Sequence, residues 1–368
     1  MTNIRYQNQA DKLLIDKSFY YNTWLVFGKK DPNVIKSFLE LFNSEVKEIN
    51  VFPQGTVTEH LSPLIIGICR KDDSSGKLIV EMLGFENAVP SQKTLITHGG
   101  VHEFCHAFAN LLPTAFSKYP DGIIEDGVKY KNEMGLISET DAITGKPVGQ
   151  HFYGKMFNET MMDIITSIGV LSFEPQFSNN PNPAHQVLNS NYKSWGNATT
   201  GYSIFTSITR LAIAAFSNNG FINYDQIIKN GGGIFDVVTL MKDGSKKKAN
   251  DFMYGILFDP LHIEKEFDKY MGKGYYRTFC KYLDRAFILF SKNQQIPSEE
   301  KKRIMNILPD FLNKKCSYYR QHGLLDDQGV DAIIGNFNKI WNSMQAEYSA
   351  YFTQQDIVEI EKRSRTPM

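Results

Sequence analysis

Residues 97–108 read THGGVHEFCHAF, and the interpretation of the whole chain depends on this stretch. Its small and apolar residues predict a helix that is apolar nearly all round, which is typical of a helix buried in a protein core. Glu103 is the only formally charged residue between positions 94 and 112. A buried carboxylate needs partners, because leaving it unpaired costs several kcal/mol. The stretch therefore predicts a specific polar site in the middle of this helix.

Two histidines flank this carboxylate, in the order His102-Glu103-x-x-His106. Positions i and i+4 lie on one face of a helix, so both imidazoles can reach one zinc ion at about 2.0–2.1 Å. The intervening glutamate then lies beside the metal and can act as a general base. The alternative, two histidines hydrogen-bonded in a core, leaves Glu103 unexplained. The longer pattern HExxHxxGxxH is excluded, because Ala109 and Leu112 occupy its last two positions.

A second helix, predicted over residues 156–173, carries two charged side chains, Glu159 and Asp163, again four residues apart. The rest of this helix is largely apolar and has no basic residue to pair with the two carboxylates. The carboxylate of Glu159 can bind zinc, and the carboxylate of Asp163 can accept the N–H of a zinc-bound imidazole. If Glu159 is not the third ligand, the next candidates are Glu125, Glu133 and His185.

His98 extends the row of histidines toward the start of the first helix. At 1.5 Å per residue it lies about 12 Å along the axis from His106, too far for one tetrahedral ion to bind both. We therefore expect His98 to be structural, to lie behind the ligands, or to lie near the mouth of the site.

The two motifs together resemble those of the gluzincin metallopeptidases, in which HExxH is followed by NExxxD. Here HEFCH precedes NETMMD by about fifty residues, and the resemblance covers roughly residues 78–170. The chain is also similar to cytosolic bacterial zincins in which a short hairpin precedes a glutamate-bearing helix. The resemblance implies a zinc metallopeptidase with one Zn²⁺ per chain and a peptide or protein substrate. It also implies that the strand GKLIVEML binds extended substrate by edge pairing.

The resemblance further implies a role for each residue of the two motifs. His102, His106 and Glu159 would be the zinc ligands. Glu103 would be the general base. Asp163 would orient His102 by accepting the ring N–H on the side away from the metal.

The oxyanion donor of such a peptidase, usually a Tyr or His, is not marked by any signature in this sequence. Tyr153 is the nearest candidate, six residues before the third-ligand glutamate. The other candidates are His185, Tyr202 and His262.

The order of these patterns predicts an α+β fold of the zincin type. Two strand-like runs, SPLIIGICR and GKLIVEMLGF, are joined by the turn-rich KDDSSG and predict a hairpin ahead of the active-site helix. We expect a small antiparallel or mixed sheet in the front half and a mainly helical C-terminal half. That half includes FDKYMGKGYYRTFCKYLDRAFILF as a helical segment.

The patterns also divide the chain into three regions. Residues 1–120 form a front lobe with the edge strand and the HExxH helix. Residues 121–200 contain a short hairpin, the third-ligand helix and a long surface loop over 174–198, and residues 201–368 are helical. Loops of that length are often functional.

The bulk composition excludes several classes of partner. Forty basic residues balance forty acidic ones, so no net field attracts nucleic acid or an anionic membrane. No apolar run is long enough to span a bilayer, and the N-terminus lacks a secretory signal. We therefore expect a cytoplasmic protein without nucleic-acid or membrane partners, with leaderless export left open. The sequence carries no signal for an oligomeric state.

One alternative keeps the metal and changes the function. The chain would then be a metal-stabilised, catalytically idle regulatory or binding protein with a helical interaction surface. Glu103 argues against it, because a structural zinc site gains nothing from a carboxylate that is not a ligand and usually has four protein ligands. A helical interaction protein without metal would require the two motifs to be coincidental.

Overall fold

A computed structural model describes most of the chain. The described residues are 2–28, 32–61, 66–89, 92–116, 136–140, 147–152, 155–177, 203–217, 224–236, 238–240, 242, 244, 246–248, 251–258, 260–291 and 297–348. Over these residues the fold is mixed α/β and mostly helical, with a small mixed sheet, as the sequence predicts. None of the described helices is long and apolar enough to cross a membrane.

The sheet has four strands in the order β1-β2-β4-β3. β1 pairs with β2 and β2 with β4 in parallel, whereas β3 pairs with β4 in the antiparallel sense. The strands are β1 (Asn3–Arg5), β2 (Val46–Phe52), β3 (Gly67–Lys71) and β4 (Leu78–Leu83). The predicted hairpin is therefore confirmed as β3 and β4.

The strand expected to lie at the sheet edge, GKLIVEML, is instead an interior strand. β4 pairs with β2 on one side and β3 on the other, and all six of its residues are buried. Five of its six residues are apolar, which is the pattern of a strand covered on both faces, and the exception, Glu81, forms an ion pair with Arg70 of β3. Among the described residues β3 pairs with β4 alone, so β3 is the edge strand on this side.

Three helices pack in the front half: α1 (Gln9–Phe27), α2 (Pro32–Glu45) and α3 (Lys93–Phe116). α3 carries the HExxH motif and contacts β3, β4, α1 and α2. Between residues 96 and 109 every side chain except His106 is buried, as the apolar sequence predicts. Asn22 of α1 donates from Nδ2 to the backbone oxygen of Val101, 3.0 Å away, and so ties α1 to α3.

A second hairpin, β5 (Leu136–Thr140) and β6 (Pro147–Phe152), precedes helix α4 (Lys155–Phe173). The strands are antiparallel, which confirms the predicted short hairpin. α4 contacts α3 on one side and the C-terminal helices on the other. The carboxylate of Asp284, which is buried, accepts a hydrogen bond of 2.8 Å from the backbone N–H of Met156. This bond satisfies one of the free N–H groups in the first turn of α4.

The back half is helical. Its elements are α5 (Ser203–Phe216), α6 (Tyr224–Lys229), the hairpin β7 (Val238–Leu240) and β8 (Lys246–Lys248), α7 (Asp251–Phe258), α8 (Pro260–Met271), α9 (Tyr275–Ser291), α10 (Ser298–Gln321) and α11 (Asp327–Tyr348). One buried apolar cluster includes side chains from α1 through α11. Both predicted region boundaries, near residues 120 and 200, lie outside the described residues.

The segment over residues 267–290 is two helices rather than one. α8 ends before Gly272 and α9 begins after Gly274, and these glycines have φ values of 109° and 81°. Both values fall where a side chain is strained, which explains why glycine occupies them. Asp268 stabilises the break, because its carboxylate accepts from the backbone N–H groups of Gly274 and Tyr276 at 2.6 and 2.9 Å.

The start of the predicted long loop is held against α1. Glu174 is buried, accepts a 2.9 Å hydrogen bond from the Tyr21 hydroxyl, and forms an ion pair with Lys17. A short 3₁₀ turn follows at Pro175–Phe177. The rest of that loop lies outside the described residues.

Candidate metal site

Three side chains from α3 and α4 converge where the two helices pack. Nε2 of His102 and Nε2 of His106 are 3.0 Å apart. Oε2 of Glu159 lies 3.7 Å from the first nitrogen and 3.5 Å from the second. Among the described residues this is the one group of three or more metal-binding side chains whose ligand atoms lie within 4.8 Å of one another.

The dimensions of this triangle suit a zinc ion. The three distances are 3.0, 3.5 and 3.7 Å, so the point in the plane of the three atoms that is equally far from all of them lies about 2 Å from each. Zinc binds histidine nitrogen and carboxylate oxygen at about 2.0–2.2 Å, and two histidines with one glutamate are a ligand set of catalytic zinc sites. The residues present therefore fit the ion that the sequence predicts.

Asp163 lies behind the first histidine of this triangle. Its Oδ1 is 3.3 Å from Nδ1 of His102, and both side chains are buried. A proton on Nδ1 can be donated to this carboxylate, which leaves the lone pair of Nε2 facing the cluster. Burial alone would lower the pKa of His102, but hydrogen bonds to Asp163 and Glu159 outweigh it and raise that pKa well above its usual value.

The site opens to solvent on one side. The exposed fraction of the side chain rises from 3% at Asp163 to 10% at His102, 15% at His106 and 26% at Glu159. Along α4, Asn158 and Glu159 are the two residues between positions 156 and 171 that are not buried. The three ligand side chains are therefore partly accessible, and Glu159 is the most exposed of them.

Glu103 lies beside the triangle and against the edge strand β3. A Cβ atom added to Gly67 would lie 2.6 Å from Cγ and 3.1 Å from Oε1 of Glu103, so only glycine allows this close approach. The backbone of Cys69 also hydrogen-bonds to the Glu103 carboxylate. Burial raises the pKa of Glu103, and the nearby His102 partly opposes that rise.

The two glutamates of the site have opposite electrostatic environments. Burial raises the pKa of Glu159 as well, but the imidazoles of His106 and His102 outweigh it and hold the pKa far below its usual range. Glu159 is therefore suited to bind a cation, whereas Glu103 is suited to take up a proton.

The structure brings together His102, His106, Glu159, Asp163 and Glu103, which are the motif residues of the sequence analysis. It places His98 nearby, with Nε2 3.8 Å from Oδ1 of Asp163, rather than near the mouth of the site. Burial lowers the pKa of His98 to about 4. His262 is on α8 and is not part of the group of ligand atoms within the described chain. Other candidates lie outside the described residues: Tyr153, His185, Tyr202, Glu125 and Glu133.

Two contributions to the site were missed by sequence reasoning. Gly67 and Cys69 place the edge strand against Glu103, and Asp284 caps the helix that carries Glu159. The glycine inside an otherwise β-branched and apolar run was a signal of close backbone approach. No local signal marks Asp284, because it is 128 positions from its partner Met156.

Comparisons of the chain with protein-family models, with curated proteins and with solved structures found no match. We therefore infer a function from the geometry and chemistry of the site.

Proposed function

We propose that this protein is a zinc-dependent peptidase of the gluzincin type, with a zincin-like fold. The observation that carries the proposal is the pairing of a three-atom ligand triangle with a buried glutamate that is not one of its corners. A site that only stabilises the fold needs no such carboxylate. The order of elements supports the fold: a strand hairpin, the HExxH helix, a second hairpin, and the helix bearing the third ligand.

His102, His106 and Glu159 would hold the zinc, with Asp163 fixing the orientation of the first imidazole. Zinc, when bound, lowers the pKa of a water molecule toward ~7 and polarises the peptide carbonyl. Glu103 takes the proton of the attacking water and passes it to the leaving amine. Burial raises the pKa of Glu103 above its ordinary value, which favours the uptake of a proton by this carboxylate.

The edge strand β3 supports a peptide as the substrate. β3 has one partner among the described residues, β4, and its Gly67–Cys69 segment lies against Glu103. A peptide in extended form can add to such an edge through main-chain hydrogen bonds, largely independent of its side chains. A peptide bound there would pass directly beside the general base.

Glu103→Gln tests the proposal, because the amide keeps the shape of the side chain and cannot accept the proton. Wild type and variant are incubated with a peptide library, and cleavage is followed by mass spectrometry alongside zinc content. We expect unchanged zinc content and a cleavage rate lower by roughly 10²–10⁴-fold. Glu174→Gln is the matched control, because Glu174 is also a buried glutamate but bonds to α1; its cleavage rate should equal that of wild type.

Full cleavage activity in Glu103→Gln would contradict the mechanism. Zinc binding by wild type with no cleavage of any library peptide would instead favour the metal-stabilised binding protein.

A further inference from the structure

We propose that His98 is a positioning residue that holds Asp163 in the orientation needed to accept the N–H of His102. The inference rests on the proposed zinc site and extends it by one residue. His98 would not touch the metal or the substrate. It would act through Asp163, in a relay that runs from His98 to Asp163, then to His102 and the ion.

Both imidazoles lie close to the carboxylate of Asp163. Oδ1 of Asp163 lies 3.3 Å from Nδ1 of His102 and 3.8 Å from Nε2 of His98, so both imidazoles face the same oxygen. The two rings are one helical turn apart on α3, with centroids separated by 6.0 Å. Asp163 projects from α4 between them. The 3.3 Å distance is slightly longer than a hydrogen bond and the 3.8 Å distance is clearly longer, so the carboxylate is in electrostatic contact with both rings. A small shift of the side chains brings each imidazole into hydrogen-bonding range of this oxygen.

All three groups are buried, which makes their arrangement energetically important. His98, His102 and Asp163 are 4%, 8% and 2% exposed. Within the described part of the chain the ion-pair partners of Asp163 are these two histidines, and no lysine or arginine is in range. A buried carboxylate without a lysine or arginine partner depends on N–H donors, and an imidazole has at least one to give. The second imidazole therefore limits how the carboxylate can rotate.

Removing the N–H of His98 should weaken zinc binding without removing a ligand. Partners that orient a metal-bound histidine typically contribute 10–100-fold in metal affinity, and His98 acts one step further out, so we expect about three- to ten-fold. His98→Phe keeps a ring of similar size and loses the N–H. His98→Gln restores a donor and should recover part of the affinity.

The experiment is a double-mutant cycle on the full chain, with the zinc dissociation constant measured by competition with a chromogenic chelator. The proteins are wild type, His98→Phe, Asp163→Asn and the double variant. We expect about three- to ten-fold weaker zinc binding in His98→Phe and about 10–100-fold in Asp163→Asn. The double variant should bind zinc as Asp163→Asn does, because His98 can act only while the carboxylate is present.

Unfolding by urea in excess chelator measures the stability of each zinc-free protein separately. Thr97→Val is the matched control: Thr97 is buried on the same helix, and its hydroxyl donates to the backbone oxygen of Lys93. Its zinc affinity should equal that of wild type. If His98→Phe does not fold, His98→Leu, which also lacks an N–H donor, takes its place in the cycle.

A wild-type zinc affinity in His98→Phe, or effects of the two substitutions that simply add, would overturn the inference while leaving the zinc site intact. A wild-type protein that binds no zinc would overturn both this inference and the proposed function.

Discussion

At the scale of single residues, the site separates two glutamates by their surroundings. Glu159 faces two imidazoles, which hold its pKa far below the usual range. Glu103 lies beside the ligand triangle and against the backbone of β3, and burial raises its pKa. Pairs of titratable groups whose environments move their pKa values apart mark the acid–base roles of a site. These surroundings suit Glu159 to the role of metal ligand and Glu103 to the role of proton acceptor.

Gly67→Ala tests the position of Glu103. The added Cβ would lie 2.6 Å from Cγ of Glu103, so the glutamate or the edge strand must move. We expect the cleavage rate to fall at least about ten-fold, since small displacements of a catalytic group cost one to two orders of magnitude. Zinc content should not change, because none of the three ligand side chains is touched. Peptide cleavage and metal analysis on the same preparation measure both quantities.

Cleavage at the wild-type rate in Gly67→Ala would show that the position of Glu103 does not matter to the reaction. Gly335→Ala is the control, because Gly335 is exposed on α11 and a Cβ there would meet no atom within 4 Å.

Much of the candidate site could be predicted at this scale. His102, Glu103 and His106 are local in the sequence, and Glu159 and Asp163 stand out as charges on an apolar helix. Gly67 could not be identified in this way, because its importance depends on which strand lies at the edge.

At the scale of elements, the helix carrying Glu159 is fixed by contacts that are distant in sequence. Asp284 of α9 caps the first turn of α4, and Thr160 shares a hydrogen bond of 2.6 Å with Thr209 of α5. Thr160 directly follows Glu159, and Met156, whose N–H binds Asp284, lies three residues before Glu159. The C-terminal helices therefore determine where the third ligand stands relative to α3.

Asp284→Ala should destabilise the protein by removing the cap of α4. A buried N–H left without its acceptor costs about 1–3 kcal/mol, and we expect a loss of this size in the free energy of unfolding. Urea denaturation of the zinc-free protein measures it. Asp331→Ala is the control: Asp331 pairs with Arg320 on the surface, with 69% of its side chain exposed. Such pairs contribute about 0–1 kcal/mol, so equal losses in both variants would contradict the capping role.

Gly335→Ala should stabilise α11. Gly335 is inside the helix and exposed, and alanine is favoured over glycine in a helix interior by roughly 0.5–1 kcal/mol. The midpoint of urea unfolding should rise accordingly, with no change in the dependence of unfolding free energy on urea concentration. A lower midpoint would mean that this part of α11 is not a regular helix.

The elements themselves were predicted to different extents. α3, α4 and both hairpins follow from periodicity and turn residues that are local in the sequence. The position of β4 inside the sheet does not, because strand order depends on pairing with β2, about thirty residues earlier. The break between α8 and α9 was missed because the apolar spacing continues across Gly272 and Gly274, and their positive φ values appear only in the structure.

At the scale of the whole molecule, the metal should couple the two halves of the fold. Two ligands come from α3, which packs on the front sheet, and one comes from α4, which packs on the C-terminal helices. An ion bound across this interface stabilises the folded state by mass action. At a free zinc concentration of 100 times the dissociation constant, the expected gain is about 2.7 kcal/mol.

Urea unfolding with buffered zinc and with excess chelator measures this gain. Wild type should be more stable in zinc by the expected amount, and the zinc-dependent part should be nearly lost in His106→Ala. Equal stability of wild type in zinc and in chelator would contradict a metal that bridges α3 and α4.

Zinc content, measured by mass spectrometry on wild type and Glu159→Ala purified without added metal, tests the proposed ligand set. We expect about one zinc per wild-type chain and a sharp reduction in the variant, because the site then keeps only two of its three ligands. Glu174→Ala controls for the loss of a carboxylate elsewhere, since Glu174 bonds to α1 at the far end of α4. A wild-type protein without zinc after reconstitution, or full zinc content in Glu159→Ala, would contradict the proposed ligand set.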